Sequence, residues 1–519
     1  MAACTAAAAA EPAQERVLRR GNGAEPQTLD PHKAEDVPSA NILRDLYEGL
    51  TAAAPDGSVV PGAAASWTVR TDGRRYTFRL RPAARWSNGD PVTAGDFVAG
   101  LRRAVDPRTG SKYAHILDPV RNARAVIAGE AAVDSLGVRA VGAHTLEIDL
   151  ENATAYFPSL LSHSMTFPIH RPSLEEHGDR FTRPGHLVSN GAYRLSDWVV
   201  HSHISLARNP HFRDAAAVRI DRVDYLPISD PSAELSRYRA GDLDWTDTVP
   251  LSRLAWIRET MPGELRIDPY LGAYFYAFNL TRPPFKDSPG LRAALSLAVD
   301  RDALAARITG AGEQPAYGLV PPGVDHYSSQ PLRYAGLSSR ARAAEARRLF
   351  QDAGYGPGNP LEIELRYNTS ENHKRIAVAI AAMWKQVLGV RTRLLNEEWK
   401  VFLQNRKQKA VTQVFRSGWI GDYNDAYTFL DLFHSDHGRN DSGYANRAYD
   451  ALLGRARSEA DPALRRRVLE QAEQQLLADH VIIPLYYYVS KHLIKPYVRG
   501  YVPNVLDYHY TRYLDVAPH

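Results

Sequence analysis

The stretch from about residue 360 to 395 constrains this chain more than any other. Leu361, Ile363, Leu365 and Tyr367 alternate with polar residues, the period of a half-buried strand. Ile376, Ile380, Met383 and Val387 then recur at helical spacing until Gly389, a residue suited to ending a helix. A second strand follows at once, from Val390 to Leu395. Strand, helix and strand with such short connections require parallel strands and a right-handed crossover, which places the chain among mixed α/β folds. A further helical turn is expected after Trp399, and a third strand over Val411 to Phe415.

Open parallel sheets bind ligands at the carboxyl ends of their strands. His373 follows the first strand, Trp399 the second, and Arg416 with Asp422 the third, so these residues should converge if the strands are neighbours. The run from Arg416 to Asp425 reads as one short turn with the chemistry of a zwitterion site. Asp422 can accept hydrogen bonds from an ammonium, and Arg416 can fork onto a carboxylate. Gly418 and Gly421 would let a ligand backbone approach closely. The competing reading is an ordinary polar loop after a strand.

At 519 residues the chain exceeds a single core and should divide into about two to four domains. Its first part is rich in strand signals, with Tyr76, Phe78 and Leu80 alternating, then Leu146, Ile148 and Leu150. Between them a helix begins near Thr93, carrying Phe97, Leu101 and Val105 on one face. Ile204 with Leu206, and Val223 with Tyr225, mark further strands. Asp461 and Pro462 form an N-cap and first-turn pair, opening a helix with Leu464, Val468, Leu469, Ala472 and Leu476 on its packing face. Val481 to Val489 reads as an apolar strand in which Tyr486 and Tyr488 share one face and Tyr487 takes the other. Those tyrosines either fill the core or line a wet pocket.

Several function classes are excluded. The net charge is +4, with 63 basic residues dispersed among 59 acids, which argues against a nucleic-acid partner. The sequence has no His-Glu-x-x-His zinc motif and no Gly-x-Ser-x-Gly elbow, and its one cysteine is Cys4, so a peptidase is the weakest reading. The same cysteine count rules out an intramolecular disulfide and a multi-cysteine metal site. Residues 1–15 read as a disordered Ala-rich leader or a signal-peptide remnant, in which Cys4 resembles the end of a lipoprotein cleavage site and so a lipidation position. His434 and His437, beside Asp436, read as a solvated loop.

From about residue 16 onward the chain resembles the periplasmic oligopeptide-binding proteins of ABC importers, in the peptide/nickel-binding solute-binding family 5. The resemblance is carried by Leu29-Asp-Pro-His32, Arg44-Asp-Leu-Tyr-Glu-Gly-Leu50, Trp86-Ser-Asn-Gly-Asp-Pro-Val-Thr93, Asn190-Gly-Ala-Tyr193, Tyr225-Leu-Pro-Ile-Ser229, Asp268-Pro-Tyr270, Tyr367-Asn-Thr-Ser370, Arg416-Ser-Gly-Trp419 and Tyr486-Tyr-Tyr-Val489. It implies a two-lobed periplasmic-binding-protein fold (type II, the large cluster C form) with an extra third domain. Lobe I would comprise residues 16–46, 172–271 and 489–519, the extra domain 47–171, and lobe II 272–488. The implied function is capture of extended oligopeptides and delivery to a membrane ABC permease, by a periplasmic monomer with no cofactor or metal. Anchoring through Cys4 would keep it at the membrane. A murein-peptide receptor of the same family is the near alternative.

Carried over residue by residue, the resemblance makes Asp422 the partner of the peptide α-ammonium. Arg416 and His373 match positions that meet the carboxylate of peptides of different length. Glu35, Val37, Tyr113, Tyr270, Trp399, Gly418, Trp419 and Tyr486 match positions that border the ligand. Three departures stand out. Where relatives carry a lysine for very short peptides this chain has Thr309, with Arg307 the substitute cation. The two cysteine positions of enteric relatives are Gly272 and Ile420. A Tyr-Asn-Asn run is replaced by Asp247-Thr248.

Overall fold

The computed structural model describes residues 15–154, 156–324, 327–459 and 461–519, so Cys4 and nearly all of the 1–15 leader lie outside the described residues. Its largest sheet has six strands in the order Gln314–Pro315, Ile482–Leu493, Leu265–Phe278, Val414–Ile420, Glu362–Asn368 and Arg391–Glu397. Glu362–Asn368 pairs in parallel with both Arg391–Glu397 and Val414–Ile420, as the strand–helix–strand spacing requires. The connecting helix Glu371–Leu388 buries Ile376, Ala377, Ile380, Trp384 and Leu388, and Gly389 ends it in the left-handed region at φ 73°. The chain therefore leaves the central strand to one neighbour and returns on its other side. That reversal opens a crevice at the carboxyl end of Glu362–Asn368.

The third strand differs from expectation. It begins at Val414 and runs through Arg416, Gly418 and Trp419 to Ile420, so the first half of the segment read as a turn is strand and only 421–425 remain irregular. Antiparallel pairing with Leu265–Phe278 overrides the low strand propensity of Ser417-Gly418, setting Gly418 opposite Tyr274 and Arg416 opposite Tyr276. Gly418 is needed for packing: a Cβ there would lie 2.6 Å from the Tyr488 hydroxyl and 3.2 Å from the Ala273 carbonyl oxygen. At Gly421 a Cβ would meet Leu271 at 2.8 Å. Both glycines thus make room for the protein's own side chains, and both also line a cavity at the crevice.

Two long strands tie the molecule together. Leu265–Phe278 and Ile482–Leu493 pair antiparallel with a register shift between Pro269 and Ala273. At one end Leu265, Ile267 and Leu493 pack in a core with Leu226, Tyr238 and Leu243. At the other, Tyr276, Phe278, Ile483 and Leu485 pack with Ile363, Ile376 and Trp384. A second sheet, ordered Val17–Gly21, Arg222–Leu226, His203–Arg208 and Tyr193–Val199, reaches the first of these cores through Leu226 and packs Leu18, Ile204, Leu206, Val223 and Tyr225 into a separate, larger core. The molecule is accordingly a mixed α/β, two-lobed structure whose lobes share a β ribbon.

A third, antiparallel sheet is ordered Ala64–Val69, Arg75–Leu80, Thr145–Asp149 and Val138–Ala140. The helix Ala94–Val105 packs beside it, fixed by a capping box between Thr93 and Asp96 and burying Phe97, Leu101 and Val105. On the helix Pro462–Ala478, Asp461 caps the Ala463 and Leu464 amides as expected. Leu464, in that first turn, is exposed, whereas Val468, Leu469, Ala472 and Leu476 are buried. Among the described residues no helix is long and apolar enough to cross a membrane.

Candidate functional site

A cavity of about 400 Å³ lies between the sheets at the crevice. Of the residues singled out from sequence, Glu35, Val37, Tyr113, Tyr270, His373, Trp399, Arg416, Gly418, Trp419, Asp422 and Tyr486 all line it. Arg307 does not: it is exposed on the π-helical turn Leu304–Thr309. Thr309 is buried and donates its hydroxyl to the Ala305 carbonyl, so neither residue presents a cation to the cavity.

Asp422 follows the strand Val414–Ile420, with its side chain 12% exposed. The Thr428 hydroxyl lies 3.4 Å from its Oδ2, and His163 Nε2 lies 3.5 Å from its Oδ1. Burial pushes the carboxyl up to about 7, against the pull of nearby Arg439 and of Thr428. His163 is no counter-charge, because burial and Arg44 lower its pKa to about 3. Its Nδ1 accepts from the Met165 amide at 3.2 Å, so the neutral ring carries its proton on Nε2, facing Asp422. Tyr113 and Trp419 stack 5.9 Å apart beside this acid, with the Arg439 guanidinium against both rings.

Arg416 projects from the same strand at the other side of the cavity wall. Its Nη2 donates to the Tyr488 hydroxyl at 3.1 Å, its guanidinium lies 5.1 Å from the centre of the Tyr274 ring, and its Nε has no partner among the described residues. No carboxylate among the described residues forms an ion pair with it. His373, expected as a second cation, is held well below its ordinary pKa by burial and by Arg416, and its Nδ1 lies 3.3 Å from the Tyr274 hydroxyl. It therefore meets a ligand as a neutral imidazole. The alternation along Ile482–Leu493 holds: Tyr486 and Tyr488 face the cavity, while Tyr487 turns to the core and donates to the Gly318 carbonyl.

Contacts across the cavity hold its walls together. Trp399 Nε1 donates to Asp36 Oδ2 at 2.8 Å, Lys407 pairs with Glu35, and Arg439 donates to the Glu35 carbonyl at 2.5 Å. Asn372 receives the Leu251 amide at 3.1 Å and donates to the Val249 carbonyl at 3.2 Å. Glu35, taken as a ligand neighbour, thus has its carboxylate engaged by the protein.

Sequence reading missed Arg406, Arg439 and Lys491, all of which line the cavity. Arg406 is in a buried ion pair with Asp441, and Lys491 lies 2.7 Å from Glu313. Lys491 could have been found by extending the tyrosine strand; Arg439 sits in an irregular loop that carries no periodic signal. That loop corrects a second reading, since His437 is buried with its Nε2 2.7 Å from His115 Nε2 and is not solvated. The enteric cysteine positions prove to be neighbours: Gly272 opposes Ile420, whose side chain fills the space over the glycine.

Comparison with known proteins gives consistent matches. The sequence model of the bacterial extracellular solute-binding proteins, family 5 (middle), covers residues 58–441. The periplasmic oligopeptide-binding protein OppA of Escherichia coli is 41% identical over 98% of this chain and 94% of its own length. The structure of the murein tripeptide binding protein MppA of Escherichia coli superposes with a TM-score of 0.95 at 39% identity, covering 98% of this chain and 99% of that one. Its unliganded open form, at the same identity and 98% coverage of both chains, gives only 0.68. The lobes here are therefore not in that open arrangement. Haemophilus influenzae OppA in complex with the peptide RPPGFSPFR gives 0.94 at 36% identity, over 97% of this chain and 99% of that one.

Proposed function

The chain belongs to the bacterial extracellular solute-binding proteins of family 5, and on that premise we propose that it captures oligopeptides in extended form between its two lobes and delivers them, outside the cytoplasm, to an ABC permease for import. One observation carries the reading. Asp422 and Arg416 line a single cavity, and neither has, among the described residues, an ion-pair partner that is charged at neutral pH. A peptide zwitterion supplies both missing charges.

In this reading the α-ammonium replaces the proton that burial would otherwise keep on Asp422, and the Nε2–H of His163 supports the carboxylate from the opposite wall. Arg416, with neutral His373 and the Tyr488 hydroxyl beside it, receives the carboxylate of peptides of suitable length. Glu35, Val37, Tyr113, Tyr270, Trp399, Gly418, Trp419 and Tyr486 border the backbone and side-chain pockets. The peptide main chain bonds as an added strand, so sequence is tolerated. The lobes correspond to 16–46, 172–271 and 489–519 on one side and 272–488 on the other, with 47–171 as the extra domain. The shared ribbon supports a hinge rather than a tether. The ligand is bound and released uncleaved. A murein peptide is the second reading, since MppA superposes as well, at 0.95, as the peptide-bound OppA does at 0.94.

Titration calorimetry with Ala-Ala-Ala, its N-acetylated form and a murein tripeptide, followed by mass spectrometry of the mixtures, tests this. Stoichiometric binding of intact free-amine peptide and weak binding of the acetylated one are expected. Preference for the murein peptide would favour the second reading, and cleavage would overturn both.

A further inference from the structure

Six carboxylates line the cavity: Glu35, Asp36, Asp247, Glu313, Asp422 and Asp507. Glu35 pairs with Lys407, Asp36 accepts from Trp399, Glu313 pairs with Lys491, and Asp507 takes hydrogen bonds from His492 and His509. Asp422, the expected ammonium anchor, accepts from Thr428. Asp247 alone accepts no hydrogen bond and makes no ion pair with any other described residue. Only its amide is engaged, donating to Glu234 Oε1 at 2.7 Å.

The nearest cations pull on Asp247 from a distance but are bonded to other groups. Arg20 donates to the His509 carbonyl and stacks on Trp245, while His492 is turned to Asp507. Beneath Asp247 lies a second acid, Glu234, fully buried and receiving the amides of Asp247 and Thr248. The wall is thus rich in carboxyl groups, and burial together with Asp247 holds the Glu234 carboxyl well above its ordinary pKa. Space for a ligand group is preserved at Gly23, whose φ is +61°, where a Cβ would stand 2.8 Å from Asp247 Oδ2. Burial raises the Asp247 carboxyl to about 6.

Resting on the peptide-receptor reading, we propose that Asp247 is a specificity residue that selects peptides bearing a basic side chain at the third position. The titratable neighbours of Asp247 are Arg20, His492, Asp507 and Glu234, whereas Asp422 has the neutral His163 and the cation Arg439 beside it. The two acids therefore serve different stretches of an extended ligand, with Asp422 at its amino end. A lysine, arginine or diamino-acid ammonium placed against Asp247 would let both wall acids bear charge without unpaired burial. An acidic side chain at the same place would be repelled.

Calorimetry with Ala-Ala-Ala, Ala-Ala-Lys and Ala-Ala-Glu, and with the tetrapeptides carrying the same third residue, tests the assignment in the full chain and in Asp247→Asn. The wild type should bind the lysine peptides at least about tenfold more tightly than the glutamate ones, and Asp247→Asn should abolish that preference while leaving the Ala peptides within about threefold. An unchanged preference in Asp247→Asn, or no preference in a wild type that binds Ala-Ala-Ala, would overturn the inference alone. Failure of the wild type to bind any of these peptides would overturn the receptor reading with it. Asp247→Glu, which keeps the charge, should retain the preference if the Asn variant loses it through charge rather than through a disturbed wall.

Discussion

Asp422 and Arg416 are six residues apart on one strand and its exit, yet burial acts on them in opposite ways. A carboxyl that loses water and has no cation can take up a proton, and Asp422 does so, its pKa rising to about 7. A guanidinium has no such escape. Arg416 is kept charged by the Tyr274 ring and the Tyr488 hydroxyl, with Nε left unbonded. The lesson is that the Asp422 side of the cavity holds a switchable charge and the Arg416 side a permanent one. Ligands should therefore be read with pH dependence at one end and with length dependence at the other.

The strongest way to break this contrast is Asp422→Ala. It would leave a peptide ammonium buried without a partner, at a cost of roughly 3–5 kcal/mol, so affinity for free-amine peptides should fall by two to three decades or more. Calorimetry on acetylated peptides should show little change in the same variant. Arg416→Met comes next, with a loss of about 10–100-fold confined to the peptide lengths whose carboxylate reaches it. A uniform loss across di-, tri- and tetrapeptides would remove the length dependence.

The third test uses pH. Because the ligand needs the ionised acid, wild-type affinity for free-amine peptides should weaken by about tenfold per unit as pH falls below about 7, and Asp422→Asn should be flat. Stability carries the opposite sign. A carboxyl whose folded pKa is raised from 3.8 to about 7 favours folding most when protonated, so the free protein should lose stability as pH rises from about 4 through 7. Melting curves of Asp422→Asn should match wild type near pH 4 and exceed it near pH 8. The smallest effect is expected from Tyr488→Phe, which removes one hydrogen bond to Arg416 worth about 1 kcal/mol, or roughly fivefold in affinity for the lengths Arg416 serves.

Legibility in the sequence followed the range of the forces involved. The 360–395 unit was readable because alternation and helical spacing are local consequences of burying one face, and the strands indeed pair in parallel. Residues at the carboxyl ends of those strands could be nominated for the same reason, and they line one cavity. Arg416 to Ile420 was misread as a turn because Ser417 and Gly418 are weak strand formers. Only pairing with Leu265–Phe278, some 140 residues away, makes them strand. Arg307 looked available because its charge was visible and its exposure was not. His437 looked solvated because nothing local reveals the partner His115, 322 residues earlier.

What the sequence determined by itself is the mixed α/β class, the parallel unit and the residue types offered at its crevice, since periodicity and side-chain chemistry need no distant partner. Tertiary structure decided which of those charges stay unpaired. Glu35, Glu313 and Arg406 are claimed by Lys407, Lys491 and Asp441, while Asp422, Arg416 and Asp247 are left facing the cavity. The reason is physical: whether a charge is available to a ligand depends on the dielectric around it and on which groups the fold brings within a few ångströms, and neither is a property of the residue or of its neighbours in the chain.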